Sequence, residues 1–154
     1  PAGMPLAALR EASPLRPDPD GSWPLRFDRL VGPVLQQHCV SCHRPDADDA
    51  TAAAFDLTPA AAYENLLDFD DGNLRKLAFE RDRSIVGQTP ARQSTLYRML
   101  AEAPGHYDVR LSDADRQRLA TWMDTYAHNI GSFSQQQEEA LRQLRARHAS
   151  LLSD

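Results

Sequence analysis

The chain has two cysteines in 154 residues, which allow at most one disulfide or a pair of free thiols. There is one lysine, Lys76, against sixteen arginines, and the net charge is −5. No basic face is evident in these totals, so the usual electrostatic footprint of a nucleic-acid binder is missing. No apolar run approaches the ~18 residues of a membrane span. The N-terminus lacks the long apolar core of a secretion signal. Pro1 is not an initiator methionine, so the chain is expected to be a mature product or an excised piece of something longer. No segment alternates convincingly with period two, and no repeat of about 20–50 residues recurs. What remains is an all-α reading. Apolar residues make up 42% of the chain, enough for a real core in one domain.

Residues 1–24 hold six of the eleven prolines and read as an extended arm or linker, because proline fixes φ and removes backbone donors. From Phe27, apolar residues recur at helical spacing through Leu30, Val31, Val34 and Leu35. Pro33 suits the first turn of a helix starting near Val31 or Gly32. Residues 44–57 read as a loop. Thr58-Pro59 reads as an N-cap and first helical position, with Asp68–Asn73 ending that helix. Asp68–Asn73 is faintly like a calcium loop, but that pattern wants Gly sixth and Glu twelfth, where Asn73 and Phe79 stand. Residues 75–93 read as irregular and locally basic. Ser94 caps a helix carrying Leu96, Met99 and Leu100. Ser112 caps the clearest helix, with Asp115 three residues on and Leu119, Trp122, Met123 and Tyr126 on one face. Ser134 caps a last helix with Leu141, Leu144, His148, Leu151 and Leu152 along one side, expected to pack on the same domain. The division is thus 1–24 arm, 25–132 main domain and 133–154 C-terminal amphipathic helix.

Both cysteines fall in Cys39-Val40-Ser41-Cys42-His43. Two thiols three residues apart on a helical turn can reach both vinyl groups of a haem and form thioethers. The histidine directly after the second cysteine then sits under the iron as axial ligand. C-x-x-C-H is a haem c attachment signature. A proximal imidazole normally donates its other N–H to a carbonyl, and the sequence does not reveal that acceptor. Two other chemistries compete. A zinc site could use Cys39, Cys42, His43 and perhaps His38, but structural zinc usually draws on two separated ligand pairs, and no second cysteine pair exists. A redox dithiol would need a βαβ setting, which is missing.

The segment Phe27–His43 resembles the opening helix of class I-type cytochromes c. It is most similar to the planctomycete-type domains with their V-x-P-x-L-x-x-x-C-x-x-C-H entry. Ser94-Thr95-Leu96, Leu111–Asp115 and Leu119-Ala120-Thr121-Trp122-Met123-Asp124 are similar to the ending of those domains and of the C-terminal haem domain of hydrazine synthase alpha-like proteins. The likeness covers residues 27–132. It implies a compact class I-like cytochrome c fold with an extra C-terminal helix, and thioether attachment completed in the periplasm or another extracytoplasmic space. Those domains usually carry Met-Pro just before L-S-x-x-E. Here His106 lies closest to that place, and it is the expected sixth ligand beside His43. Met99, Met123, His128 and an open sixth position are the alternatives, and His38 is badly placed for the far haem face.

The expected function is single-electron transfer through one covalent haem c, as a carrier or as the haem module of a larger redox enzyme. Its partners would be a redox protein or other subunits of that enzyme. The alternative is a haem enzyme or gas-binding site with an open iron.

Overall fold

The computed structural model describes residues 25–80, 83, 85–101, 105–130 and 134–148. The proline-rich arm and the last two leucines of the C-terminal stripe lie outside the described residues. Among the described residues every regular element is a helix. In chain order these are α1 (Phe27–Leu30), α2 (Gly32–His38), α3 (Ala50–Ala54), α4 (Ala62–Phe79), α5 (Pro90–Gln93), α6 (Thr95–Ala101), α7 (Asp113–Asp124) and α8 (Gln135–Arg147).

Pro33 sits in the first turn of α2, where its missing N–H costs nothing. α1 and α2 bury Phe27, Leu30, Val34 and Leu35, with Val31 buried between them. α7 packs against α1 and buries Leu119, Trp122 and Met123. Burying each such side chain contributes roughly 1.5–3 kcal/mol. The contact is centred on three rings. Phe27 meets Trp122 edge-on at 5.2 Å and Tyr63 at 5.4 Å between centroids. The polar ends of these aromatics are satisfied: Trp122 Nε1 donates to the His128 carbonyl at 3.0 Å, and Tyr63 Oη donates to the Ala127 carbonyl at 3.0 Å. They pin the turn after α7, where Tyr126 and Ala127 have φ of 64° and 43°.

Three expected caps are present, and at the head of α8 the Ser134 hydroxyl accepts the Gln137 N–H at 3.1 Å. Ser112 and Asp115 form a reciprocal capping box on α7. The Ser94 hydroxyl accepts the Tyr97 N–H at 3.3 Å at the head of α6.

Elsewhere the structure departs from the sequence reading. Thr58 does not cap a helix. Its carbonyl accepts from Ala61 and Ala62 in a turn, and α4 starts only at Ala62. The stretch 44–57 contains α3, because the Asp49 carboxylate accepts the Thr51 and Ala52 N–H groups and stops the chain unwinding. Asp68–Asn73 breaks α4 without ending it. Phe69 is extended (φ −55°, ψ 138°), and Asp70, Asp71 and Gly72 follow in the left-handed region at φ 51°, 55° and 68°. Left-handed backbone costs ~1–2 kcal/mol for a residue with a Cβ. Helix then resumes and buries Leu74 and Ala78, so residues 75–79 are not irregular. Tyr126 lies past the end of α7 and is exposed, not on its buried face. Leu141 and Leu144 on α8 are also exposed rather than packed on the domain. α8 is tied back through an ion pair between Glu138 and Arg26.

Candidate functional site

The buried face of α2 anchors the cysteine segment. At the end of that helix, the N–H groups of Cys39 and Val40 both reach the Leu35 carbonyl, at 2.8 and 3.0 Å. The chain then closes a single turn on Cys39, whose carbonyl accepts from Cys42 at 3.1 Å and from His43 at 2.9 Å. C-V-S-C-H is therefore one compact turn. Cys39 is half-buried and Cys42 exposed, and both are free thiols. Burial, and then the neighbouring Cys42, push the Cys39 thiol up to about 11. A reactive dithiol needs the opposite, a thiol pKa lowered toward neutrality.

His43 is fixed from the other side of the loop. Its Nδ1 donates to the Ala52 carbonyl at 3.1 Å. This leaves Nε2 as the ring nitrogen that could ligate a metal. Ala52 is in α3, so the short helix absent from the sequence reading supplies the acceptor that the sequence did not reveal. The same carbonyl also accepts the Phe55 N–H at 3.1 Å. The loop returns to the motif through Leu57, whose N–H donates to the His43 carbonyl at 2.9 Å. Hydrogen bonds from the Ala52 and Thr51 N–H groups hold the Asp49 carboxyl below its usual range, helped by nearby His43. The signal for α3 was available: an Asp N-cap ahead of Ala-Thr-Ala-Ala-Ala.

His106 reaches the site from the loop between α6 and α7. Its ring lies against His43 with centroids 5.8 Å apart and planes 27° apart. The loop is turned there by Gly105 at φ 81° and Tyr107 at φ 49°. It is tied by the Val109 N–H, which donates to the His106 carbonyl at 3.1 Å. Burial, with a smaller contribution from His43, lowers the His106 pKa and favours the neutral imidazole that binds metals. The other candidates for the sixth position are engaged elsewhere. Met123 is fully buried in the core. His38 Nε2 contacts the Asp115 carboxylate at 3.3 Å. The His128 ring lies beside Tyr126. Met99 is half-buried against the core cluster.

This donor set fits haem c. Two imidazoles would hold one iron, and the rings of His43 and His106 stand together, 5.8 Å apart between centroids. Two thiols one turn apart stand beside them. Phe55, in ring contact with His43, and Val109, bonded to the His106 carbonyl, are only partly buried. Such surface suits a large apolar group. Zinc fits less well: among the described residues no group of three or more His, Cys, Asp or Glu side chains is arranged to hold a metal ion. A cleft of about 250 Å³ between α2 and the entry to α4, lined by Phe27, Pro33, Leu35, Val40 and Leu57, is separate from the histidine pair.

Asp124 has a structural role that the sequence reading missed. Its Oδ1 accepts the Ala91 N–H at 2.8 Å and holds α5 against the end of α7.

Residues 32–127, well over half of the chain, match the family model described as cytochrome c. No curated protein and no solved structure matches the chain.

Proposed function

This chain belongs to the cytochrome c family, and from that premise we propose that it carries one haem c, bonded through Cys39 and Cys42 and ligated by His43 and His106. Haem-based electron transfer is what the family does. When bound, the haem supplies a one-electron ferric–ferrous couple. The observation that supports these residues is the pair of facing imidazoles at 5.8 Å, one of them already committed through Nδ1 to a backbone carbonyl. Cys39 and Cys42 would tether the haem, and His43, held through Nδ1, and His106 would be its protein ligands. With both histidines bound, the iron would have no position left for a substrate, which suits outer-sphere electron transfer.

The haem domain is assigned to residues 25–132, with 133–154 as an addition. The ending around Trp122 supports a place near the planctomycete-type domains. The family's usual setting supports an extracytoplasmic location with a redox protein or an enzyme subunit as partner. Among the described residues no helix is long and apolar enough to cross a membrane.

Mass spectrometry of the denatured protein, made in a host with cytochrome c maturation machinery, should show polypeptide plus one haem. Spectra should show low-spin iron in both oxidation states and no rapid carbon monoxide binding. An apo mass would sink the attachment assignment. Fast carbon monoxide binding by the wild type would move an open-site haem enzyme ahead of electron transfer.

A further inference from the structure

We propose that Phe55 and Phe69 form an aromatic brace that sets the rotation of the His43 ring, and with it the angle between the His43 and His106 planes. The proposal rests on the axial roles given above to these two histidines.

The Cβ–Cγ bond and the hydrogen bond from Nδ1 hold two points of the His43 ring. They leave the ring able to rock about the line between those points. A second contact is needed to fix the plane, and Phe55 provides it. Its ring meets His43 edge-on, with centroids 5.7 Å apart and planes 84° apart. Phe55 directly follows α3, so the residue that braces the ring lies three positions from the carbonyl that holds Nδ1.

Phe55 is itself only half-buried and needs backing. Phe69 supplies it at 5.6 Å and 60°. Phe69 is the residue at which α4 breaks, and the three left-handed residues follow it immediately. An uninterrupted helix would avoid that unfavourable backbone and would carry Phe69 on in helical conformation. The costly backbone and the ring contact occur at the same place. This gives the break a purpose: it turns Phe69 out of the helix and onto Phe55. Unfavourable backbone persists where surrounding contacts over-determine it.

The chain Phe69–Phe55–His43 ends at a histidine whose plane lies 27° from that of His106. Low-spin ferric iron between nearly parallel imidazole planes gives a rhombic electron paramagnetic resonance spectrum with three resolved g values. As the planes rotate toward perpendicular, the spectrum collapses toward a single large-g feature.

The test is that spectrum for the ferric holoprotein and its variants. Wild type should be rhombic. Phe55→Ala and Phe69→Ala should each shift and broaden the largest g value toward the large-g limit, and Phe55→Tyr, which keeps the ring, should restore the wild-type signal. Holoprotein of both alanine variants with wild-type g values would overturn the brace. Failure of the axial assignment has a different signature, a wild type that is not low-spin. In either event, the resonance Raman iron–His43 stretch of the ferrous His106→Ala protein provides an independent reading. The brace requires that stretch to shift or broaden when Phe55→Ala is added. An unchanged band would overturn the brace, and an apo product from Phe55→Leu and Phe55→Tyr alike would show a folding role in its place.

Discussion

At the scale of single residues, His106 tests the axial assignment directly. His106→Ala should leave haem attached, because Cys39, Cys42 and His43 are untouched. The ferric iron should become high-spin or take up water, and the ferrous form should bind carbon monoxide quickly. Met99→Leu should change little, as a near volume-conserving swap costing less than about 1.5 kcal/mol. A sulfur-to-iron charge-transfer band in the wild type that Met99→Leu removes would reverse this assignment. A second residue, Asp115, carries a pH dependence. Burial raises its pKa, but hydrogen bonds from the Ser112 hydroxyl and N–H and from His38 outweigh that and leave it lowered. A carboxylate depressed in the fold contributes stability that is complete above its unfolded value, near 3.9, and is lost as pH falls through the lower folded value. Asp115→Asn should therefore lower the melting temperature at pH 7. The gap to wild type should close as pH falls below the unfolded value and through the lower folded one. A gap that stays constant across that range would remove the charge from the account.

At the scale of elements, the left-handed break in α4 and the cap on α7 make separable demands. Gly72 has φ 68°, and a Cβ there would meet nothing closer than 3.9 Å. The penalty for Gly72→Ala is therefore conformational rather than steric, about 1 kcal/mol or somewhat more. Urea denaturation should show it as a lower midpoint with an unchanged slope. Ser112→Ala removes the hydroxyl that accepts the Asp115 N–H at 3.1 Å, and should cost ~1 kcal/mol. Ser112→Ala should not alter the haem spectrum much, whereas Gly72 belongs to the break that carries Phe69, so Gly72→Ala should shift the spectrum in the same direction as Phe69→Ala. α3 differs. It is a single short helix, yet it carries the Ala52 carbonyl that holds His43 and leads directly into Phe55, so under the proposed ligation its Asp49 cap serves the site as well as the fold.

At the scale of the whole molecule, the described side chains of α8 are exposed or half-buried. Leu141 and Leu144 face solvent, and the ion pair from Glu138 to Arg26 ties α8 to the rest. Surface pairs of this kind are worth roughly 0–1 kcal/mol. A protein ending at residue 132 should keep its haem, its spectrum and its melting temperature within a few degrees. A large loss of stability would mean that the apolar stripe of α8 is covered in solution. Calorimetry and size-exclusion chromatography of the truncated and full chains decide between these outcomes.

The sequence alone carried the C-x-x-C-H segment, the helical class and the caps at Ser94, Ser112 and Ser134. These are local, whereas the meeting of His106 with His43 belongs to the fold. A C-x-x-C-H turn, a capping box and a 3.6-residue apolar period are written in neighbouring residues, and their geometry follows from the backbone. Three things were decided only by tertiary structure. The acceptor for His43 Nδ1 is a backbone carbonyl, and a carbonyl has no residue-type signature in the sequence. The break at Phe69 looked like a helix end, because turn-forming residues announce a departure from helix but not what the chain does next. Leu74 and Ala78 resume the helix because the core has room for them. The partial exposure of Phe55, Met99 and Val109, like that of Leu141 and Leu144, depends on which distant surfaces come together. Apolar periodicity marks a face that could be buried, and only the packing of the whole chain determines whether it is.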